Sequence, residues 1–142
     1  MKTWVHSALS IVLCILFYPT YKWEILFIFA GGVLIDADHY LWYIARFKKW
    51  NLIKCYDFFI ADVRKNRWKP ISGSVLVFHT IEFLIIMILL SFYNSFALMF
   101  TIGLLGHYLL DFIWHISVPK MVIMNHSIIY WFYKNKFSAR FK

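Results

Sequence analysis

The chain is dominated by four long runs of apolar residues, separated by shorter polar or charged segments. The runs extend over about residues 4–19, 23–45, 75–93 and 95–118, and no lysine or arginine lies inside any of them. A helix needs about 20 mostly apolar residues to cross a membrane, with about 17 as the lower end. The pattern therefore predicts an all-α membrane protein, a bundle of four spanning helices of which the first is short.

The first run also has the length of a signal peptide, since it follows Lys2 and ends at Pro19. Signal peptides end in a small-x-small cleavage site. Residues 17–20 read Phe-Tyr-Pro-Thr and contain no such site. We therefore expect a retained helix.

Composition supports the membrane class and excludes others. Of the 142 residues, 62% are hydrophobic, yet the net charge is +8. A soluble domain is about 45–50% apolar, and a disordered chain is less hydrophobic still. A nucleic-acid-binding protein needs a polar surface around its basic patch. The two cysteines, Cys14 and Cys55, are too few for a disulfide scaffold.

The basic residues lie almost entirely on one side of the predicted bundle. They fall at the N-terminus, in the loop at 46–74 and in the tail at 119–142, and only Lys22 lies on the other side. Cytoplasmic loops of membrane proteins carry the excess of lysine and arginine. This predicts a multi-pass inner-membrane protein with both termini and the long loop in the cytoplasm.

Two further segments, residues 50–60 and 128–134, are basic and aromatic but too short to span. Such segments are typical of amphipathic pieces that lie in the interface of an anionic leaflet. A disordered basic loop is the alternative. Membrane lipids are therefore expected partners, and no stable nucleic-acid partner is expected.

Ionisable residues inside the apolar runs are the candidate functional residues. They are Asp36, Asp38, Glu82, Asp111, His6, His39, His79, His107 and His115. A charged side chain in the middle of a spanning helix costs about 2.5–3.5 kcal/mol. Because no lysine or arginine is available within the runs, protonation, an imidazolium or a divalent metal must compensate the carboxylates.

Depth and spacing indicate that these residues meet. With the termini inside, each group lies in the cytoplasmic half of its helix. His107, Asp111 and His115 are four residues apart and share one helical face. The pairs Asp36/His39 and His79/Glu82 are three apart, whereas Asp38 lies off the face of Asp36. Imidazoles and carboxylates on facing helices are how metal sites in helical bundles are built, and they suit zinc, manganese or iron.

The order of these motifs resembles the YdjM-like family of membrane-bound metal-dependent hydrolases. The matching parts are His6, the block Gly-Val-Leu-Ile-Asp-Ala-Asp-His at 32–39, the block Phe-His-Thr-Ile-Glu at 78–82 and the block Gly-Leu-Leu-Gly-His-Tyr-Leu-Leu-Asp at 103–111. Ile35 replaces the family's proline, and the region at 69–74 lacks a histidine of the family pattern. The family is distantly similar to zinc-dependent phospholipase C and single-strand nuclease folds.

The resemblance implies hydrolysis of a phosphoester or phosphodiester bond, with zinc as the favoured ion. The expected metal ligands are His6, Asp36, His39, His79, His107, Asp111 and His115. Asp38 and Glu82 are the candidate catalytic bases. The expected substrate is anionic and carries phosphate, either lipid-linked or soluble.

Two alternatives to a hydrolase stay open at this point. The histidines and carboxylates also suit a metal or proton conductor, because intramembrane groups of this kind form relays. A metal ion that only holds the bundle together is a further alternative. Self-association of the chain is compatible with each of them.

Overall fold

The structure is a computed structural model that describes residues 2–64, 74–117 and 126–138. These residues are helical apart from short connections, which confirms the all-α class for the described part of the chain. The α-helices are α1 (Thr3–Tyr21), α2 (Leu26–Val33), α3 (Ala37–Phe47), α4 (Leu52–Arg64), α5 (Ile81–Ser91), α6 (Ser95–Ser117) and α7 (Ile128–Ser138). Short 3₁₀ turns cover Lys22–Ile25, Leu34–Asp36 and Val77–His79.

Two helical stretches, Thr3–Phe47 and Ser95–Ser117, are long and apolar enough to cross a membrane, judged by length and composition. Few of their apolar side chains are buried inside the protein, and several are largely exposed. Val12 is 60% exposed, Leu16 67% and Phe112 63%. The four-span bundle itself stays a prediction.

The third apolar run is a shorter helix than its sequence predicts. α5 covers only Ile81–Ser91, with 11 residues, so the expected helix over residues 75–93 is wrong at both ends. Thr80 has an extended backbone (φ −101°, ψ 151°) that separates the 3₁₀ turn at 77–79 from α5. The amide of Phe78 donates to the carboxylate of Asp38 rather than to a helical carbonyl.

The first two runs also differ from expectation. α1 continues past Pro19 to Tyr21, because a proline in the last turn removes only one amide donor. The second run is interrupted at Leu34–Asp36, where a tighter 3₁₀ turn separates α2 from α3. This turn changes the direction in which the following side chains point.

The chain divides into two compact units. The first contains Met1–Ala37 and Leu84–Pro119, and the second contains Asp38–Phe83 and Lys120–Lys142. The first unit is built from α1, α2 and α6 with most of α5. The second is built from α4, α7 and most of α3.

In the first unit, α1 and α2 form an antiparallel hairpin. The chain turns at Lys22, whose φ is 50°. Cys14 in the second half of α1 donates to the carbonyl of Ile25, while Ser10, one turn earlier, lies against Gly32.

Glycines allow α2 and α6 to pack backbone to backbone. A Cβ atom at Gly31 would collide with the carbonyl oxygen of Phe100, and one at Gly103 would collide with that of Ile28. No other residue type permits this approach without a shift of the backbone. The two helices run in the same direction, since Ile28 lies beside Gly103 and Asp36 lies beside His107.

The second unit packs through aromatic rings. Tyr43 and Phe47 of α3 contact Phe58 of α4, with ring centroids 5.8 and 5.2 Å away. Cys55 of α4 is buried, and burial raises the pKa of its thiol to about 11. The two segments expected to be amphipathic thus contain helices, α4 and α7. Their placement on a membrane surface stays a prediction.

Candidate metal centre

Four of the sequence-predicted residues meet at one end of the first unit. His6 comes from the first turns of α1, Asp36 from the 3₁₀ turn after α2, and His107 and Asp111 from consecutive turns of α6. We call these four residues the first cluster. His6 is 2% exposed and His107 1%.

The contacts within the first cluster are short and converge on His107. Its Nε2 atom lies 3.2 Å from Oδ2 of Asp111 and 3.6 Å from Oδ1 of Asp36. His6 Nε2 lies 3.4 Å from Oδ1 of Asp111. The rings of His6 and His107 stack, with centroids 4.0 Å apart and planes 19° from parallel. The predicted pairing of His107 with Asp111 across one helical turn is present.

The backbone fixes the orientation of the His107 ring. Its Nδ1 atom lies 2.9 Å from the carbonyl oxygen of Gly32, and because a carbonyl only accepts, Nδ1 carries the hydrogen. Nε2 of the neutral ring is then a lone pair directed at two carboxylates, which are also acceptors. A hydrogen shared between Nε2 and a carboxyl group, or a metal ion bound by both, is needed to make these contacts favourable.

A divalent metal ion fits the first cluster. His6, His107 and Asp111 each offer a ligand atom, and these atoms lie within 4.8 Å of one another. Zinc ligands lie about 2.0–2.2 Å from the ion, so neighbouring ligands of a tetrahedral site are about 3.4 Å apart. The separations of 3.2 and 3.4 Å match this spacing. The two aspartates would also neutralise a divalent charge, as a membrane interior requires.

His6 has a second polar atom that the contacts above leave unmet. Its Nδ1 atom is buried and has no hydrogen-bond partner among the described residues. Buried polar atoms are nearly always hydrogen-bonded, and leaving one unpaired costs about 1–3 kcal/mol. The nitrogen that faces Asp111 is the other one, Nε2, so Nδ1 is a further polar atom at the edge of the first cluster that a bound water or another ligand would satisfy.

A second cluster lies in the second unit and consists of Asp38, His39 and His79. His39 Nδ1 donates to Oδ1 of Asp38, and His79 Nδ1 donates to Oδ2, each over 3.0 Å. The Phe78 amide donates to Oδ2 over 3.1 Å. These three residues also offer ligand atoms within 4.8 Å of one another.

The second cluster differs from the first in how its charge is compensated. Three N–H groups already donate to the one carboxylate, so Asp38 needs no cation to be stable in its 7% exposed position. A carboxylate that accepts from histidine Nδ1 orients the ring so that Nε2 is the nitrogen that binds a metal. Asp38, which the sequence suggested as a catalytic base, thus lies where it orients two imidazoles.

Spacing along the sequence grouped Asp36 with His39, but the structure places them differently. Asp36 lies beside His107, and Asp38 is the aspartate beside His39. The reason is the 3₁₀ turn that ends at Asp36, because side-chain positions expected from one continuous α-helix do not hold across it.

Glu82 contacts the start of α7 rather than either cluster. Its carboxylate accepts hydrogen bonds from the Ser127 hydroxyl over 2.5 Å and from the amides of Ile128 and Ile129 over 3.1 and 3.2 Å. The pattern is that of a helix N-terminus capped by a carboxylate. His79 and Glu82 do not share a face, because the extended Thr80 separates them.

His115 is the remaining predicted ligand. It is half-buried on α6, one turn beyond Asp111, and belongs to neither cluster. Sequence reasoning also missed two contributors. The Gly32 carbonyl leaves no signal in a side-chain pattern, whereas Ser127, directly before an apolar run, is a recognisable N-cap.

Comparison of the chain with family models, curated proteins and solved structures finds no match.

Proposed function

We propose that this protein is a membrane-embedded, divalent-metal-dependent hydrolase of phosphoester or phosphodiester bonds, with its site towards the cytoplasmic side. The observation that carries the proposal is the environment of His107 Nε2, which is buried and lies within 3.6 Å of two carboxylates. A divalent cation satisfies this arrangement without leaving net charge in the bilayer.

The first cluster has the composition of a catalytic rather than a closed structural metal site. Catalytic zinc sites use histidine and carboxylate ligands and leave one position to water, whereas structural sites are mostly closed by cysteines. Neither cysteine is a member of a cluster. When bound, the ion would lower the pKa of its water and polarise a phosphoryl oxygen.

The protein's own residues would hold and orient this chemistry. Gly32 fixes the tautomer of His107, and Asp111 contacts both imidazoles of the cluster at once. Partners of this kind that orient a metal ligand typically affect metal affinity or activity by about 10–100-fold. The roles of Asp38 and Glu82 as general bases stay predictions.

The experiment is a hydrolysis assay on protein purified in mild detergent without chelator. A panel of phosphomonoesters, phosphodiesters and phospholipids would be tested with added zinc or manganese. We expect hydrolysis that chelation abolishes and that Asp111→Asn lowers by at least about 100-fold. Asp57→Asn on the exposed face of α4 is the matched control and should retain activity.

Two results would refute the hydrolase. Metal binding with no turnover of any substrate would favour the ion as a structural element of the bundle. Proton or metal flux through sealed vesicles, lost in Asp111→Asn, would favour a conductor.

A further inference from the structure

An apolar groove with a volume of about 320 Å³ lies along α1 of the first unit. It is lined by Ile11, Cys14, Ile15 and Tyr18 of α1 and by Ile25 from the turn that follows. These residues do not belong to the first cluster.

The groove opens on the surface of α1 that is expected to face lipid. Ile11 is 51% exposed and Ile15 70%. Exposed apolar surface of this extent is unfavourable in water, at about 25 cal/mol per Å². In a membrane the same surface contacts hydrocarbon, so a hydrocarbon chain has the chemistry that the groove accepts.

The side of α1 that leads to the groove changes from polar to apolar along its length. Thr3, Ser7, Ile11 and Ile15 are four residues apart and therefore lie on one face. The polar pair is level with His6 of the first cluster, and the apolar pair lines the groove. This is the order of a lipid's headgroup and tail.

Distances along the helix agree with one leaflet of a membrane. At 1.5 Å per residue, Tyr18 lies about 18 Å beyond His6 along the axis of α1. Half of a bilayer's hydrocarbon core is about 15 Å thick. A lipid whose phosphate lies at the level of His6 would have its acyl chain beside residues 11–18.

The lining favours a flexible chain over a neighbouring helix. Helices that associate in membranes approach through small residues such as glycine, alanine and serine. The groove instead presents three branched isoleucines, Cys14 and the ring of Tyr18.

We propose that this groove is the acyl-chain subsite for a lipid phosphoester substrate, whose phosphate is held at the first cluster. The proposal rests on the proposed function and specifies its substrate class. In the reaction, a water oxygen bonds to phosphorus and one P–O ester bond breaks. The released alcohol oxygen takes up the proton that the water gives up.

The test compares variants that fill the groove with one that does not. Ile11→Trp and Ile15→Trp place a large ring in the groove, whereas Leu16→Trp adds the same ring to another exposed face of α1. The substrates are two phosphatidates in mixed micelles. They share the same phosphate headgroup and differ in their acyl chains, which are long in one and six carbons long in the other. We expect the groove variants to raise KM for the long-chain lipid at least about tenfold, to change KM for the short-chain lipid less than about twofold, and Leu16→Trp to change neither.

Binding is measured separately, with a phosphatidate that carries a photoreactive diazirine in its acyl chain. The adducts should map to residues 11–18, decrease in Ile11→Trp but not in Leu16→Trp, and be weaker with the matching diacylglycerol, which lacks the phosphate. This readout does not depend on turnover. Localised adducts without hydrolysis would retain the lipid subsite and refute the hydrolase.

Three results would overturn the groove proposal. Hydrolysis that is independent of chain length in the wild type and in both groove variants would leave the hydrolase standing and exclude the subsite. Adducts spread along α1, or equal with diacylglycerol, would indicate ordinary surrounding lipid. Cross-linked dimers through Cys14 would show that a second copy of the chain occupies the groove.

Discussion

Both ring nitrogens of His107 have defined contacts. Gly32 holds its Nδ1 hydrogen, and Asp36 and Asp111 face its Nε2 atom from two directions. The sequence predicted the contact with Asp111, because residues four apart in a helix are neighbours. It could not predict the carbonyl contact, which depends on how closely α2 approaches α6.

Asp38 is a second residue whose contacts define its role. Asp38→Ala removes the acceptor for His39, His79 and the Phe78 amide, and hydrogen bonds to a charged group contribute about 1.5–3 kcal/mol each. We expect the free energy of unfolding to fall by at least about 2 kcal/mol. Thermal unfolding in detergent with chelator present measures this without any contribution from a metal.

The control for Asp38 is Asp57→Ala on the exposed face of α4, which should change stability by less than about 0.5 kcal/mol. Equal stability of the Asp38 variant and the wild type would contradict the contacts described here.

The Glu82 carboxylate should stabilise the first turn of α7. Glu82→Ala removes the acceptor for the Ile128 and Ile129 amides, and losing a cap of this kind costs about 0.5–2 kcal/mol. We expect faster hydrogen exchange at these amides, measured by mass spectrometry. Ser127→Ala leaves the carboxylate in place and should have a smaller effect.

The same Glu82 position tests its suggested role as a base. If Glu82→Gln removes turnover while exchange in α7 stays as in the wild type, Glu82 acts chemically. Loss of α7 protection with turnover retained would show that its role is to dock α7.

At the scale of helices, continuous runs were predicted well and their interruptions were not. The fourth run, 95–118, corresponds to α6 within one residue. The second and third runs are broken at Leu34–Asp36 and at Thr80. At the third run, the amide of Phe78 bonds to a distant carboxylate, which hydropathy does not encode.

The contact between α2 and α6 supports a test with a matched pair of glycines. Gly31→Ala would place a Cβ atom against the Phe100 carbonyl and force the backbones apart. The nearest atoms to a Cβ atom at Gly106 belong instead to the side chains of Leu9 and Leu13, at 3.2 and 3.4 Å. Forcing extra atoms into a packed interior costs about 1–3 kcal/mol. We expect Gly31→Ala to lower both the melting temperature and the metal content.

Gly106→Ala should be tolerated, since alanine favours a helix over glycine by about 1 kcal/mol and flexible leucine side chains can shift. If both variants behave alike, close packing of α2 on α6 does not position the first cluster.

At the scale of the whole molecule, the distribution of charge makes a prediction about topology. The basic residues of the loop at 46–74 and the tail at 119–142 should keep both segments in the cytoplasm. A reporter inserted near Asn66, which lies outside the described residues, and one fused after Lys142 should both report cytoplasm. A periplasmic signal from either would contradict the predicted orientation and the inner-leaflet origin of the substrate.

The sequence predicted that nine ionisable residues would gather at one site, whereas Glu82 and His115 belong to neither of the clusters described above. The bilayer penalty and the positions along each run placed nine ionisable residues at one depth. Of these, His6, Asp36, His107 and Asp111 meet in the first unit, and Asp38, His39 and His79 meet in the second. The turn at Leu34–Asp36 interrupts the helix before Asp38, so the facing expected for one continuous helix does not hold for both aspartates.

Elemental analysis of the purified protein tests whether the first cluster binds a divalent metal. Protein purified in mild detergent without chelator should retain at least one equivalent of a divalent transition metal. Asp111→Asn keeps the side-chain volume, removes the charge that faces His6 and His107, and should lose that equivalent, while Asp57→Asn should retain it. A folded wild-type protein without metal, or equal metal content in the two variants, would contradict the claim.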